Sequence, residues 1–229
     1  MRDVTRSEPG GRLTVPEIDT TGAARGRRLA RPSTEKKLDV LLMKAAALIA
    51  RKGFEATSMR DLGKAMGGSL AGLYHYFSSK EDLLFQLQYR TFMSLLESQQ
   101  QVAATSGTPE ARLARLITGH LRYYEQHTNE LKACTFELES LTGTSYETVE
   151  GIRRRYYQLM STVVADVMGG RSSNGKETRR SRHATLFVFG MLNWIFMWYE
   201  PSRHGSVDQI GEEMCEFVLH GLRRPKGSG

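Results

Sequence analysis

Residues 57–87, TSMRDLGKAMGGSLAGLYHYFSSKEDLLFQL, set two short helix signatures on either side of a Gly-Gly pair, with a third helix start directly behind them. That spacing leaves few folds open. Ser58 followed by Asp61 forms a capping box, which predicts a short helix over Met59–Met66 with Leu62 and Ala65 turned inward. Gly67-Gly68 permits an abrupt change of direction that bulkier residues resist. Ser69 then caps a second short helix, roughly Leu70–Phe77, in which Leu73 and Phe77 share the buried face. Ser79 with Asp82 opens a long helix from Lys80 to about residue 103. Two short helices joined by a tight turn form a helix-turn-helix, a unit that lays its second helix in the major groove of duplex DNA.

Side-chain chemistry agrees with that expectation. Leu70, Ala71, Gly72, Tyr74 and His75 are left on the far side of the second short helix. Small residues at 71 and 72 let its backbone approach base edges, where an alanine or leucine can meet a thymine methyl. Ser69 stands at its start, and Tyr74, His75 and Tyr76 carry groups able to bond phosphate oxygens. Lys80 is unfavourable for its own helix dipole, and a nearby phosphate would explain the choice. Upstream, Arg25, Arg27, Arg28 and Arg31 form a basic arm that could enter the adjacent minor groove or act as a solvated tail. Residues 1–80 carry 15 Lys and Arg against 8 Asp and Glu, whereas residues 81–229 carry 17 of each. The whole excess of the +7 chain therefore lies with the DNA reader, and the rest is balanced.

An all-α chain is expected, with no segment reading as a strand. Residues 1–33 lack an apolar period and read as a disordered basic arm. Residues 34–79 are expected to form the DNA-binding domain, beginning with a helix that carries Leu38, Leu41, Leu42, Ala45, Leu48 and Ile49 and ends at Gly53. Residues 80–224 then form a six-helix body, followed by a disordered tail at 225–229. After Pro109 the stripe Leu113, Leu116, Ile117, Leu121 and Tyr124 marks a fifth helix; Leu131, Cys134, Leu138 and Leu141 mark a sixth; Ile152, Tyr156, Leu159, Val163 and Val167 mark a seventh. Residues 169–176 are a loop. An apolar eighth helix is expected to continue to Pro201, and a ninth carries Ile210, Met214, Phe217 and Val218.

Other classes are disfavoured. The six histidines are scattered, no acidic pair or metal spacing stands out, and no glycine-rich phosphate loop follows a strand, so no catalytic residue, metal or cofactor is assigned. Cys134 and Cys215 read as two buried thiols of a reduced, cytoplasmic protein. The longest apolar run, Leu186–Tyr199, has 14 residues and is interrupted by Asn193, short of the roughly 20 needed to span a bilayer. No membrane association is expected.

The stretches KAAALIARKGFEATSMRDLGKAMG and LYHYFSSKEDLL resemble the N-terminal signature of the TetR family of bacterial transcriptional regulators. The resemblance implies a homodimer that binds a double-stranded DNA operator. Helices two and three would form the DNA-binding motif, and helices eight and nine the four-helix dimer interface. Helices four to seven would enclose a pocket for a hydrophobic small-molecule effector. Thr57 or Ser58, Tyr74, His75 and Lys80 match phosphate-contacting places, and Ser69–Gly72 match the start of the recognition helix. The chain departs from the pattern at Gly68, where a branched apolar residue is usual, and at Ala71, where glycine is usual. The wording GMLNWIFMWYEPSRHGS, with FVLHGL after it, is similar to members that control fatty acid or sterol degradation and answer to acyl-CoA thioesters. An apolar tunnel with cations for phosphates would suit such a ligand. Tyr123, Tyr124, Phe136, Tyr156, Phe189 and Trp194 are candidate walls, with Arg153 and Arg179 as candidate cations. Phe187, Met191, Trp198, Ile210, Met214 and Phe217 are candidate dimer-interface residues. The alternative is a repressor of the same build that answers to another hydrophobic molecule, such as an exported drug.

Overall fold

The computed structural model describes residues 32–169 and 177–222, and the arginines of the basic arm lie outside them. Helix α1 (Pro32–Lys52) starts two residues earlier than expected, with proline at a position where its missing N–H costs nothing. It is followed by α2 (Met59–Met66), α3 (Leu70–Tyr74) and α4 (Lys80–Ala103). The rest comprises α5 (Pro109–Gln126), α6 (Thr128–Phe136), α7 (Gly143–Val167), α8 (Arg179–Trp194), the single turn α9 (Pro201–His204) and α10 (Val207–Leu222). No strand occurs among the described residues, and none of their helices is long and apolar enough to cross a membrane.

Caps explain most starts. Ser58, Ser69, Ser79, Thr108 and Thr178 each accept a backbone N–H from the first turn of their helix. Three further boundaries differ from the sequence expectation, the first being the eighth helix, which ends at Trp194 in a 3₁₀ turn instead of continuing to Pro201. Helix α3 stops at Tyr74, and Phe77 reaches the core from the tight turn that follows. The sixth helix ends at Phe136 and gives way to a 3₁₀ turn, Leu138–Ser140.

Two cores form. The first gathers Leu42, Ala45, Ala46, Leu48 and Ile49 of α1 with Leu62, Met66, Leu73 and Phe77, and with Leu83, Leu84 and Leu87 of α4. Ala133 and Cys134 of α6, with Leu141 and Val149, complete it. Ala65 faces solvent, and Met66 takes the inward place expected for it, because the final turn of α2 rotates Met66 beneath α1. The second core joins Leu95 and Leu96 of α4 to α5, α7, α8 and α10. Helix α4, roughly 36 Å long at its residue count, thus crosses both cores. Each fully buried leucine on it contributes about 2 kcal/mol to the core it enters.

Candidate nucleic-acid interface and effector cavity

The helix-turn-helix is held by reciprocal caps. The Ser58 hydroxyl accepts the Asp61 N–H at 3.1 Å, while the Asp61 carboxylate accepts the Ser58 N–H at 3.1 Å and its hydroxyl at 2.7 Å. Those two bonds hold the Asp61 carboxyl below its ordinary range. Of the glycine pair, Gly67 is the one in the left-handed region, with φ 72°, so the turn needs glycine there rather than at Gly68. The Ser69 hydroxyl accepts the Gly72 N–H at 3.1 Å. Beyond these caps the outer face of α3 is open: Leu70, Ala71, Gly72, Tyr74 and His75 are exposed, and Tyr76 is half-buried with His75 edge-on to it.

Two expected phosphate contacts sit differently. Thr57 is 1 % exposed, and its hydroxyl donates to the Gly53 carbonyl at 2.7 Å, so it closes the α1–α2 corner. Lys80 is half-buried; its ammonium lies 4.2 Å above the Phe54 ring and donates to the Phe54 carbonyl at 3.2 Å. It ties the start of α4 to that same corner. An ammonium has further donors, so this bond leaves Lys80 able to meet an anion.

Within the helical body a cavity of about 530 Å³ lies between α4, α5, α6, α7 and α8. Phe92, Leu95, Leu131, Leu138, Leu186 and Phe189 give it apolar walls. Phe189 lies edge-on to Tyr156 and stacks on Tyr157. The Arg153 guanidinium sits 5.3 Å from the Phe92 ring centroid, and its buried Nη1 has no hydrogen-bond partner. Burial holds the Arg153 pKa below its ordinary value. The neighbouring Arg154 is exposed and makes a forked ion pair with Glu150 at 2.8–2.9 Å. His120, on the same wall, has Nδ1 2.8 Å from the Tyr156 hydroxyl.

A third feature is an exposed apolar face. Phe187 (69 % exposed), Trp194 and Trp198 come from α8 and the turn after it, and Phe217 (72 % exposed) comes from α10. Met191, Trp194, Trp198, Ile210, Met214 and Phe217 line one groove between these elements.

The family description "Bacterial regulatory proteins, tetR family" matches residues 41–87, and "Tetracyclin repressor-like, C-terminal domain" matches residues 106–222. The chain belongs to the TetR family. It is a DNA-binding regulator of the TetR type and not an enzyme. Among its relatives, the HTH-type transcriptional repressor KstR2 of Rhodococcus jostii is 26% identical over 219 residues, covering 93% of this chain and 99% of the relative. The fatty acid metabolism regulator protein of Bacillus subtilis is 19% identical over 180 residues, covering 78% of this chain and 91% of that protein. The crystal structure of AibR, solved with isovaleryl coenzyme A and operator DNA, shares the fold with a TM-score of 0.70 at 23% identity, over 80% of this chain and 98% of AibR.

In this TetR-family chain the expected effector residues separate. Tyr156, Phe189 and Arg153 meet in the cavity. Tyr123 is buried elsewhere, its hydroxyl donating to the Thr91 carbonyl at 3.1 Å, and Tyr124 is core. Phe136 is exposed and lies edge-on to Phe196. Trp194 joins the outer groove, and Arg179 a second outer groove with Phe187 and Phe217, because the helical period turns them away from Phe189. Sequence reasoning missed Phe92, Leu138, Tyr157 and above all His120. A signal for His120 existed: it follows Leu116 and Ile117 by four and three residues, on the buried stripe of α5.

Proposed function

We propose that the chain is a homodimeric repressor of lipid or related acyl metabolism genes, released from its operator by an acyl-CoA thioester. The observation that carries this reading is the unpartnered Arg153 Nη1 on the wall of a largely apolar cavity. A buried guanidinium N–H left without an acceptor is costly even on a half-buried arginine, and an anionic or strongly polar ligand group relieves that cost. Among the other hydrophobic molecules of the alternative reading, it argues against a cationic drug. Similarity to the Bacillus subtilis fatty acid metabolism regulator supports the lipid reading, similarity to KstR2 supports a repressor, and the isovaleryl coenzyme A in complex with AibR supports the thioester.

In this reading residues 34–79 meet the operator and residues 80–224 pair subunits and sense the effector. Ser69–Gly72 face the groove, with Ser58, Tyr74, His75, Tyr76 and Lys80 toward phosphates and the basic arm alongside. Two copies pair through Phe187, Met191, Trp198, Ile210, Met214 and Phe217, joined by Trp194. The cavity borders α6 through Leu131 and Thr135 and the turn after it through Leu138, and α6 also packs into the reader's core. Just beyond α6, the Glu137 carboxylate accepts the Phe54 N–H at 2.9 Å and its carbonyl accepts the Gln88 amide at 2.8 Å. An occupant that displaces α6 therefore moves the reading helices. Release requires that the occupant prefer the displaced arrangement, since equal affinity for both shifts nothing.

Operator-release titration and calorimetry with octanoyl- to palmitoyl-CoA and the matched free acids test this. At least one thioester is expected to bind and to lower operator affinity by about tenfold or more, and Arg153→Met to weaken that thioester while operator binding persists. Release by free acids or cationic drugs, with no thioester bound, would refute the assignment.

A further inference from the structure

The cavity wall holds a polar pair that an alkyl chain cannot use. His120 is 4 % exposed, and its ring lies stacked against Tyr156 at 5.9 Å, joined by the 2.8 Å contact between Nδ1 and the hydroxyl. Its other ring nitrogen, Nε2, has no protein partner among the described residues. Burial keeps the imidazole neutral, with its pKa held down at about 4. A neutral imidazole and a phenol share their donors and acceptors in one of two ways. If Tyr156 donates to Nδ1, Nε2–H is a free donor suited to a carbonyl oxygen. If Nδ1–H donates to Tyr156, Nε2 accepts and the phenol retains a proton to give, which suits a hydroxyl. Either arrangement fits a neutral oxygen and neither supplies charge to an anion.

We infer that the effector carries a keto or hydroxyl oxygen on its apolar body, and that the His120–Tyr156 pair selects for it. The inference rests on the reading of this cavity as the effector site. A saturated chain would bury Nε2 against methylenes and leave it unpaired, so the pair acts against plain acyl groups as well as for oxygenated ones. Arg153, one turn before Tyr156 on α7 and on the same cavity wall, takes the anionic or thioester end, so the effector meets a charged and a neutral polar group.

The test uses a decanoyl chain and its 5-, 7- and 9-oxo congeners, each as coenzyme A thioester and as free acid. Binding is measured by calorimetry on the full chain and on His120→Phe, His120→Gln and Tyr156→Phe. The expected result is that at least one oxo congener binds about tenfold or more tighter than its parent. That preference should collapse in His120→Phe and in Tyr156→Phe and be kept in part by His120→Gln, which can still form a hydrogen bond. Operator binding without probe reports whether each variant folds, and Tyr156→Phe, which removes a single oxygen, decides the matter if His120→Phe does not. Parents that bind as well as every congener overturn the inference, as does a preference that survives both variants. Thioesters that bind no better than acids, with the oxo preference intact, overturn the thioester assignment and leave the inference standing. Failure of all eight probes overturns both.

Discussion

Thr57 and Lys80 have residue types suited to phosphate, yet both spend polar atoms on the Gly53–Phe54 corner. A corner between two helices leaves carbonyls without intrahelical partners, and the nearest donors supply them. His120 shows the opposite case, a polar side chain placed where little can pair with it. Its depressed pKa has a measurable consequence for stability. The unfolded chain binds a proton near pH 6.5, whereas the folded chain resists it until about 4. Stability is therefore fully present above pH 6.5 and declines as pH falls through that window, by about 3 kcal/mol in total. Denaturant unfolding of wild type and His120→Leu at intervals from pH 7 to 4 is expected to show the gap between them shift by that order toward acid. A constant gap would mean that His120 titrates normally in the folded protein. Cys134 and Cys215 are free and buried, and burial pushes their thiols up to about 12 and about 11, so both are expected to be unreactive.

At the scale of elements, the apolar run Leu186–Tyr199 is not one helix. Helix α8 ends at Trp194 and tightens into a 3₁₀ turn at Ile195–Met197. The Trp198 and Tyr199 N–H groups then donate to the Ile195 carbonyl. The chain folds back because Tyr199 donates to the Gly205 carbonyl at 3.1 Å and Trp198 packs edge-on to His204. That corner delivers α10 against α5, where Gly211 allows close approach. A Cβ at Gly211 would sit 3.1 Å from the Thr118 Oγ1 and 3.4 Å from its Cα. Gly211→Leu is therefore expected to push α10 off α5 and cost about 1–3 kcal/mol by denaturant unfolding, with Gly211→Ala milder. An unchanged midpoint in the leucine variant would show that the two helices are not closely packed at this point.

At the scale of the molecule, the exposed aromatics of α8 and α10 carry the pairing proposal. An apolar patch this rich in large side chains is unusual on a monomer surface. A symmetric dimer buries the same residues twice, so one charge placed in the patch is desolvated twice. Phe217→Glu is expected to shift the protein toward monomer in light scattering, while the helical signal in circular dichroism is retained. Operator affinity should fall with it, by about 10²-fold or more, because a lone reader loses the second half-site. A variant that stays dimeric would move the interface elsewhere on the surface.

Local rules were enough to read the fold class, the capping box at Ser58, the cap at Ser79 (although Asp82 accepts from Ser78 rather than closing a box on Ser79), the turn at Gly67 and the stripes of α1 and α5, because caps and helical periodicity act over a few residues. The exposed face of α3 was legible for the same reason: Leu73 and Phe77 claim the inner side and leave Leu70–Gly72 outside. The cavity was not legible in that way. Periodicity says that Tyr123, Tyr156, Phe189 and Trp194 are apolar positions on helices, but not which helices face one another. Only the packing of α4 to α8 brings Arg153 and His120 onto one wall with Phe189, sends Trp194 outward and carries α6 into the reader's core. Those are contacts between residues far apart in the chain, decided by how the helices cross rather than by any short stretch of sequence.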